Sequence, residues 1–214
     1  MKQNEGYIYG INGPVVEAKG NDSFKMQEMV LVGNMRLIGE VIGVKSDVTI
    51  IQVYEETTGL KPNEPVFSMG KPFSVTLAPG ILSNIFDGIE RPLRDIRDLS
   101  GSFIGRGLTL SSLDEKKKWS TTMKVKVGDK LEPGSIIAEV PETSLIMHKV
   151  MLPPDVSGDV TWVAADGEYT ISETIAKIKT EFGEKEITMK QEWPIKQARP
   201  YHNRRQISTP LITG

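Results

Sequence analysis

Very few side chains in this sequence could do chemistry. None of the 214 residues is Cys, which excludes disulfides, thiolate zinc sites and Cys nucleophiles and suits a reducing compartment. The two histidines, His148 and His202, are too far apart in sequence for a local metal motif. His148 lies in an apolar run that reads as a strand, where a core or interface imidazole is the ordinary occupant. Glu55 and Glu56 could suggest an acid/base pair. Neighbours on a regular strand point to opposite faces, so a turn or loop carboxylate pair is the plainer expectation. Gly70-Lys71 has the look of a phosphate cradle, but Pro72 follows, and its missing N–H and fixed φ are wrong for a helix opening on phosphate. No Gly-x-x-x-x-Gly-Lys-Ser/Thr, Gly-x-Gly-x-x-Gly or Gly-x-Ser-x-Gly occurs. A carrier domain needs a modifiable Lys at a hairpin tip; Lys149 and Lys190 are each embedded in apparent strands instead. Trp119, Trp162 and Trp193 are expected to fill cores or interfaces.

The elements that must position these residues are mostly strands. Gly and Pro together are 20 + 13 = 33 residues, so the chain is cut into short pieces. Tyr7-Ile8-Tyr9, Val15-Val16-Glu17-Ala18 and the runs 28–32, 37–44 and 48–54 read as strands of about five residues with turns between, the pattern of a small closed barrel. Gly59, Pro62, Asn63 and Pro65 break regular structure, and a first domain ends near Lys71-Pro72. Residues 79–101 change period. Ile81, Leu82, Ile85 and Phe86 share one helical face, so a short helix is expected there. Pro92 suits the first turn of a second, with Leu93, Ile96 and Leu99 on one face and Ser100-Gly101 as the stop. From 112 to 180 the β-pattern returns, with turns expected at Gly128, Gly134, Ser157-Gly158 and Asp166-Gly167. Two arms resemble each other, Val127-Gly128-Asp129 leading to 136–140 and Ala165-Asp166-Gly167 leading to 174–178. Such pairing resembles the barrel-sandwich fold of lipoyl and biotinyl carriers.

Charge excludes other classes. The net charge is −2, from 26 basic and 28 acidic residues spread over both halves, so no nucleic-acid partner is expected. Lys116-Lys117-Lys118 follows Asp114-Glu115. The stretch 190–214 carries Lys190, Lys196, Arg199, Arg204 and Arg205 against Glu192, a solvated face or linker, or else a surface for an acidic neighbour. No apolar run approaches the ~18 residues of a membrane span, and no signal peptide is read, so a cytoplasmic place without direct membrane insertion is expected.

Several multi-residue motifs, in order, resemble a known family. Gly13-Pro14-Val15-Val16 looks like the opening barrel of rotary ATPase head subunits. Leu37-Ile38-Gly39-Glu40-Val41-Ile42 and Ile51-Gln52-Val53-Tyr54-Glu55-Glu56-Thr57-Thr58-Gly59 narrow this to V-type and archaeal A-type enzymes. Leu77-Ala78-Pro79-Gly80-Ile81-Leu82 and Phe86-Asp87-Gly88-Ile89-Glu90-Arg91-Pro92-Leu93 are the strongest matches. Val140-Pro141-Glu142-Thr143 and His148-Lys149-Val150-Met151-Leu152-Pro153-Pro154 resemble the insertion that marks the catalytic A subunit; the B subunit lacks it. Trp193-Pro194-Ile195 and Pro210-Leu211-Ile212-Thr213-Gly214 complete the resemblance.

The resemblance implies a mainly β chain in four parts. These are a six-stranded-type crown barrel at 1–72, a helical link at 73–111, an inserted bulge domain at 112–184, and a return strand and linker at 185–214. In the family the nucleotide-binding domain follows, with the phosphate loop and magnesium ligands. The chain is therefore expected to be the N-terminal structural and assembly part of a subunit that couples ATP hydrolysis or synthesis to proton or sodium transport. It is expected to hold no catalytic, cofactor-binding or metal-binding residue, with ATP and Mg needed only by the full-length subunit, and to be inactive alone. The implied partners are B subunits through Tyr7 to Tyr54, and peripheral stalk subunits through the bulge, with Lys116 to Lys118 and Pro153-Pro154-Asp155 on its surface. The alternatives are a barrel-sandwich carrier or adaptor, which would be modified on Lys149 or Lys190, and an oligonucleotide-binding barrel, which near-neutral charge and few aromatics disfavour.

Overall fold

The computed structural model describes residues 5–20, 23–82, 84–101, 103–108, 110–199, 203, 206, 208 and 209. His202, Arg204, Arg205 and the motif at 210–214 lie outside the described residues.

Alternating apolar side chains build the first unit. β1 (Glu5–Asn12), β2 (Val15–Lys19), β3 (Glu28–Val32), β4 (Leu37–Val44), β5 (Thr49–Val53) and β6 (Pro65–Pro72) close a barrel in the order β1-β2-β5-β4-β3-β6. On β2, Val16 and Ala18 point inward and Val15, Glu17 and Lys19 outward; on β3, Val30 and Val32 point inward. These meet Ile8, Leu37, Val41, Ile51, Val53 and Val66 in one core, which fills the interior as a barrel of this size requires. Register shifts between Ile8 and Gly10 and between Val41 and Gly43 supply the bends that closure needs. Pro65, expected to break structure, instead opens β6, the strand that pairs with both β1 and β3. A Pro at the first residue of a strand is tolerated because the ladder loses little there.

β7 (Ser74–Leu77) leaves the barrel, and the expected helix over 81–86 does not form. Residues 81, 84 and 85 are irregular, Leu82 is in a turn, and Phe86 makes an isolated bridge with Pro92. The apolar spacing is real, but the backbone N–H groups of Gly80 and Leu82 are taken by the Glu142 carboxylate at 2.8 and 3.0 Å, which holds this segment open. The second helix forms as α1 (Leu93–Ser100), with Pro92 at its N-cap and the Gly101 N–H donating 2.8 Å to the Arg97 carbonyl. Only Ile96 of its expected apolar face is fully buried; Leu99 is 68% exposed.

The second unit is two arms laced together. β8 (Lys118–Met123), β9 (Lys130–Leu131), β10 (Ile136–Pro141) and β11 (Met147–Met151) form one arm. The other is β12 (Gly158–Val163), β13 (Gly167–Thr170), β14 (Ala176–Thr180) and β15 (Gly183–Ile187). The sheets run β11-β10-β8-β13 and β15-β14-β12-β9, so each arm lends its short second strand to the other's sheet. This exchange buries Val140, Val150, Val160, Ile175, Ile178 and Ile187 in a single core between the sheets. Gly128 and Gly134 sit in turns at φ 95° and 82°, but Gly158 and Gly167 open strands rather than make turns. Gly158 is needed for another reason. A Cβ there would lie 2.0 Å from the Lys179 carbonyl oxygen, so β12 and β14 approach only because it has none. β16 (Gln191–Pro194) then returns to pair with β7, Gln191 opposite Leu77.

Candidate functional site

The structure disperses the residues that could do chemistry. Glu55 and Glu56 follow β5 and diverge. The exposed Glu56 accepts the Thr58 N–H at 3.2 Å and its hydroxyl at 2.5 Å, which hold its carboxyl below the usual range. Glu55 turns inward, its side chain 4% exposed. It accepts the N–H of Ile38 at 3.2 Å and of Gly107 at 2.9 Å, and Arg91 Nη1 lies 3.1 Å away. Arg91 Nε donates 2.7 Å to Asp87, whose other oxygen takes the N–H groups of Ile89 and Arg91. Burial alone would raise the Asp87 carboxyl, but those N–H groups and the guanidinium outweigh it and hold it below its ordinary value. Gly107 must approach closely: at φ 67°, a Cβ would meet the Met35 carbonyl oxygen at 2.2 Å. This cluster locks the link onto the barrel.

Three further carboxylates fasten one segment of the chain to another. Glu90 takes the Thr76 N–H on both oxygens, at 3.0 and 2.8 Å. Desolvation raises its carboxyl in spite of that bond, with the Glu192 charge adding to the rise. Glu142, besides holding 80–82, lies 3.2 Å from His148 Nδ1. His148 is thus half-buried and bonds within its own β10–β11 hairpin, while Glu142 ties that hairpin to the link. Glu40, 1% exposed, accepts the Tyr54 hydroxyl at 2.5 Å and ion-pairs with Lys196 at 2.7 Å, pinning the chain beyond β16 to β4. Desolvation and the bond to Glu40 push the Tyr54 phenol up to about 12.

Gly70-Lys71-Pro72 is strand: the Gly70 N–H donates 3.0 Å to Glu28 and Lys71 pairs with Glu192 at 2.6 Å. Lys149 sits within β11 and Lys190 pairs with Glu115 at 3.1 Å. The β10–β11 tip reads Glu142-Thr143-Ser144-Leu145-Ile146 and the β14–β15 tip Glu181-Phe182, so neither offers a lysine for modification. Trp119 and Trp193 are buried, Trp193 donating 2.8 Å to the Gln197 carbonyl, but Trp162 is 43% exposed on β12 and fills no core. Lys116, Lys117 and Lys118 are exposed, with the Asp114 carboxylate capping the first two N–H groups and Lys117 lying 3.9 Å over Trp119. Pro153 and Pro154 end β11 as expected, and Asp155 pairs with Lys185 at 2.9 Å. Among the described residues no group of three His, Asp or Glu could hold a metal, and no helix is long and apolar enough to cross a membrane.

Sequence reasoning missed the roles of Arg91, Glu142 and Glu40. All three stand in motifs of the family resemblance, but a carboxylate's partner up to 156 positions away, as for Glu40 and Lys196, leaves no local signature. What the molecule does present is outer surface. Tyr7, Tyr9 and Ile11 alternate along the outside of β1, with Lys19 Nζ 4.0 Å over the Tyr9 ring.

Comparison with known proteins agrees with this architecture. Residues 8–70 match the ATP synthase alpha/beta family, beta-barrel domain, and residues 110–196 the ATP synthase alpha/beta subunit barrel-sandwich domain. The chain is 55% identical to the A subunit of the A-type ATP synthase of Methanopyrus kandleri, over 98% of this chain and 36% of that protein. It is 50% identical to V-type ATP synthase alpha chain 2 of Clostridium tetani, over 98% and 35%. With the corresponding A-type chain of Pyrococcus abyssi it shares 51% identity, over 98% and 21%. The chain thus spans about a third or less of the length of these relatives. Barrel, laced sandwich and relatives together place the chain in the ATP synthase alpha/beta family, as the N-terminal barrel and barrel-sandwich region of the A subunit of an A-type or V-type enzyme.

Proposed function

We propose that this region is the assembly scaffold of the catalytic A subunit of a rotary ATPase head. The barrel lies side by side with the barrels of B subunits in a hexameric ring, and the sandwich projects to meet peripheral stalk subunits. The whole subunit couples ATP hydrolysis or synthesis to proton or sodium transport, on the cytoplasmic side and peripheral to the membrane. ATP and magnesium act outside the described residues. The observation that carries this reading is the closed barrel with an apolar outer stripe. Closure removes every strand edge, so sideways contact has to be made by side chains, and Tyr7, Tyr9 and Ile11 are the large apolar ones that β1 turns outward. Every buried carboxylate of the site fastens one segment of this chain to another, which suits a rigid mount better than a reaction centre.

The test mixes the purified chain with isolated B subunits and follows association by sedimentation velocity. Tyr9→Glu is expected to abolish association while leaving the melting temperature unchanged, since Tyr9 contributes nothing to the barrel core. Association that survives Tyr9→Glu, or magnesium-dependent ATP turnover by this chain alone, would overturn the proposal.

A further inference from the structure

The laced sandwich leaves two strand edges open beside one groove. β11 bonds only to β10, and β15 only to β14. Between them lies a concavity of about 380 Å³, walled by residues 148–151 on one side and 185–190 on the other. Its floor is apolar, with Ile81, Val150, Ile187 and Met189. Its rim is cationic: Lys149, Lys185, Lys190 and Arg199 line it, against Glu186 as the one acid among the lining residues. Glu186 is already engaged by Lys177 at 2.8 Å, so it does little to offset that charge. Lys185 and Lys190 hold exposed acids on Asp155 and Glu115, pairs that exchange readily for a better-placed carboxylate. Lys149 makes no ion pair with a described residue.

One side chain indicates what such a groove takes. The Gln191 amide donates 2.8 Å to the carbonyl of Met151, the last residue of β11. It does with a side chain what an added strand would do with its backbone. We propose that the groove is a strand-addition site for an extended polypeptide segment in which acidic and apolar side chains alternate. The segment pairs with the free edge of β11, its apolar side chains enter the floor at Val150 and Met189, and its carboxylates lie on the side of Lys149. Alternation is required because successive side chains of a strand face opposite ways, one set to the floor and one to the rim. The same lysines select against a second copy of this chain, since β11 paired with β11 would bring like charges together. This inference stands apart from the barrel-ring proposal and does not depend on it.

The test uses the full chain and a dye-labelled nonapeptide of alternating Val and Glu, with an alternating Val and Lys peptide as control, read by fluorescence anisotropy. Amide exchange over 147–151 is followed in parallel. The Val/Glu peptide is expected to bind and slow exchange in β11, and the Val/Lys peptide is expected not to bind. The double variant K149Q/K185Q, at two exposed positions, should weaken binding about tenfold with an unchanged melting temperature. No binding of the acidic peptide, equal binding by the double variant, or anisotropy change without protection of β11 would each overturn it. So would a concentration-dependent dimer whose formation protects the same amides.

Discussion

Replacing Arg91 by Ala tests whether the barrel-to-link lock is electrostatic. The Glu55 side chain is 4% exposed and that of Arg91 12%, so both charges sit largely out of water. Without the guanidinium, Glu55 keeps the N–H groups of Ile38 and Gly107 but loses its counter-charge. Breaking a buried pair from one side costs about 3–5 kcal/mol, and the two retained donors hold the value to the lower end, about 3 kcal/mol at pH 7. Arg91→Ala with Glu55→Gln should recover about 1 kcal/mol or more, because the amide does not need the missing charge. The pH dependence has a definite sign. The Asp87 carboxyl is depressed in the folded protein, with the Arg91 N–H and guanidinium among the causes. Its stabilisation is present above the unfolded value of about 3.9 and is lost as pH falls through the folded one. The deficit of Arg91→Ala should therefore shrink in acid. Urea titration by far-UV circular dichroism gives the magnitude, and amide exchange at Ile38 and Gly107 localises it. All three tryptophans lie outside the barrel, so their fluorescence should be little changed. A loss below about 0.5 kcal/mol, or the same loss in single and double variants, refutes the reasoning.

Two other outcomes follow from single residues. Tyr54, pushed up to about 12 by desolvation and by Glu40, favours the folded state fully below the unfolded value of about 10 and loses that contribution as pH rises toward 12. Thermal melts between pH 9 and 12 should show wild type falling by about 1 kcal/mol more than Tyr54→Phe, partial exposure of the ring limiting the amplitude. Gly158→Ala forces a methyl to 2.0 Å from the Lys179 carbonyl oxygen at φ 151°, and should cost more than about 3 kcal/mol, read as loss of the sandwich transition in tryptophan fluorescence.

The barrel was legible because short β-branched and apolar runs of about five residues are separated by frequent turn signals; the faces were not, since β4 buries all of Leu37 to Val41 and β3 is apolar on both sides. The link was not. Ile81, Leu82, Ile85 and Phe86 satisfy a helical period, and only Glu142, sixty residues on, decides that the N–H groups of this segment go elsewhere. Leu99 likewise completes a helical face by spacing, yet it stays exposed near the end of α1. The divergence of Glu55 from Glu56 was foreseeable from strand geometry; that Arg91 would meet one of them was not. The arm resemblance at 127–140 and 165–178 foretold two similar halves, but only hydrogen bonding tells that each half borrows a strand from the other.

The pairing of β7 with β16 has a consequence for how such a molecule could have arisen. Gln191 stands opposite Leu77 across the ladder, so the chain departs for residues 78–190 and comes home at positions about 5 Å apart. A graft with both stems that close leaves the host's chain path nearly continuous, though its Arg91 and Gly107 also partner Glu55 of the barrel. Because it is held by two zippered stems instead of one, it also resists swivelling. A load applied to its far end is delivered to the host as torque, where a single tether would let it dissipate.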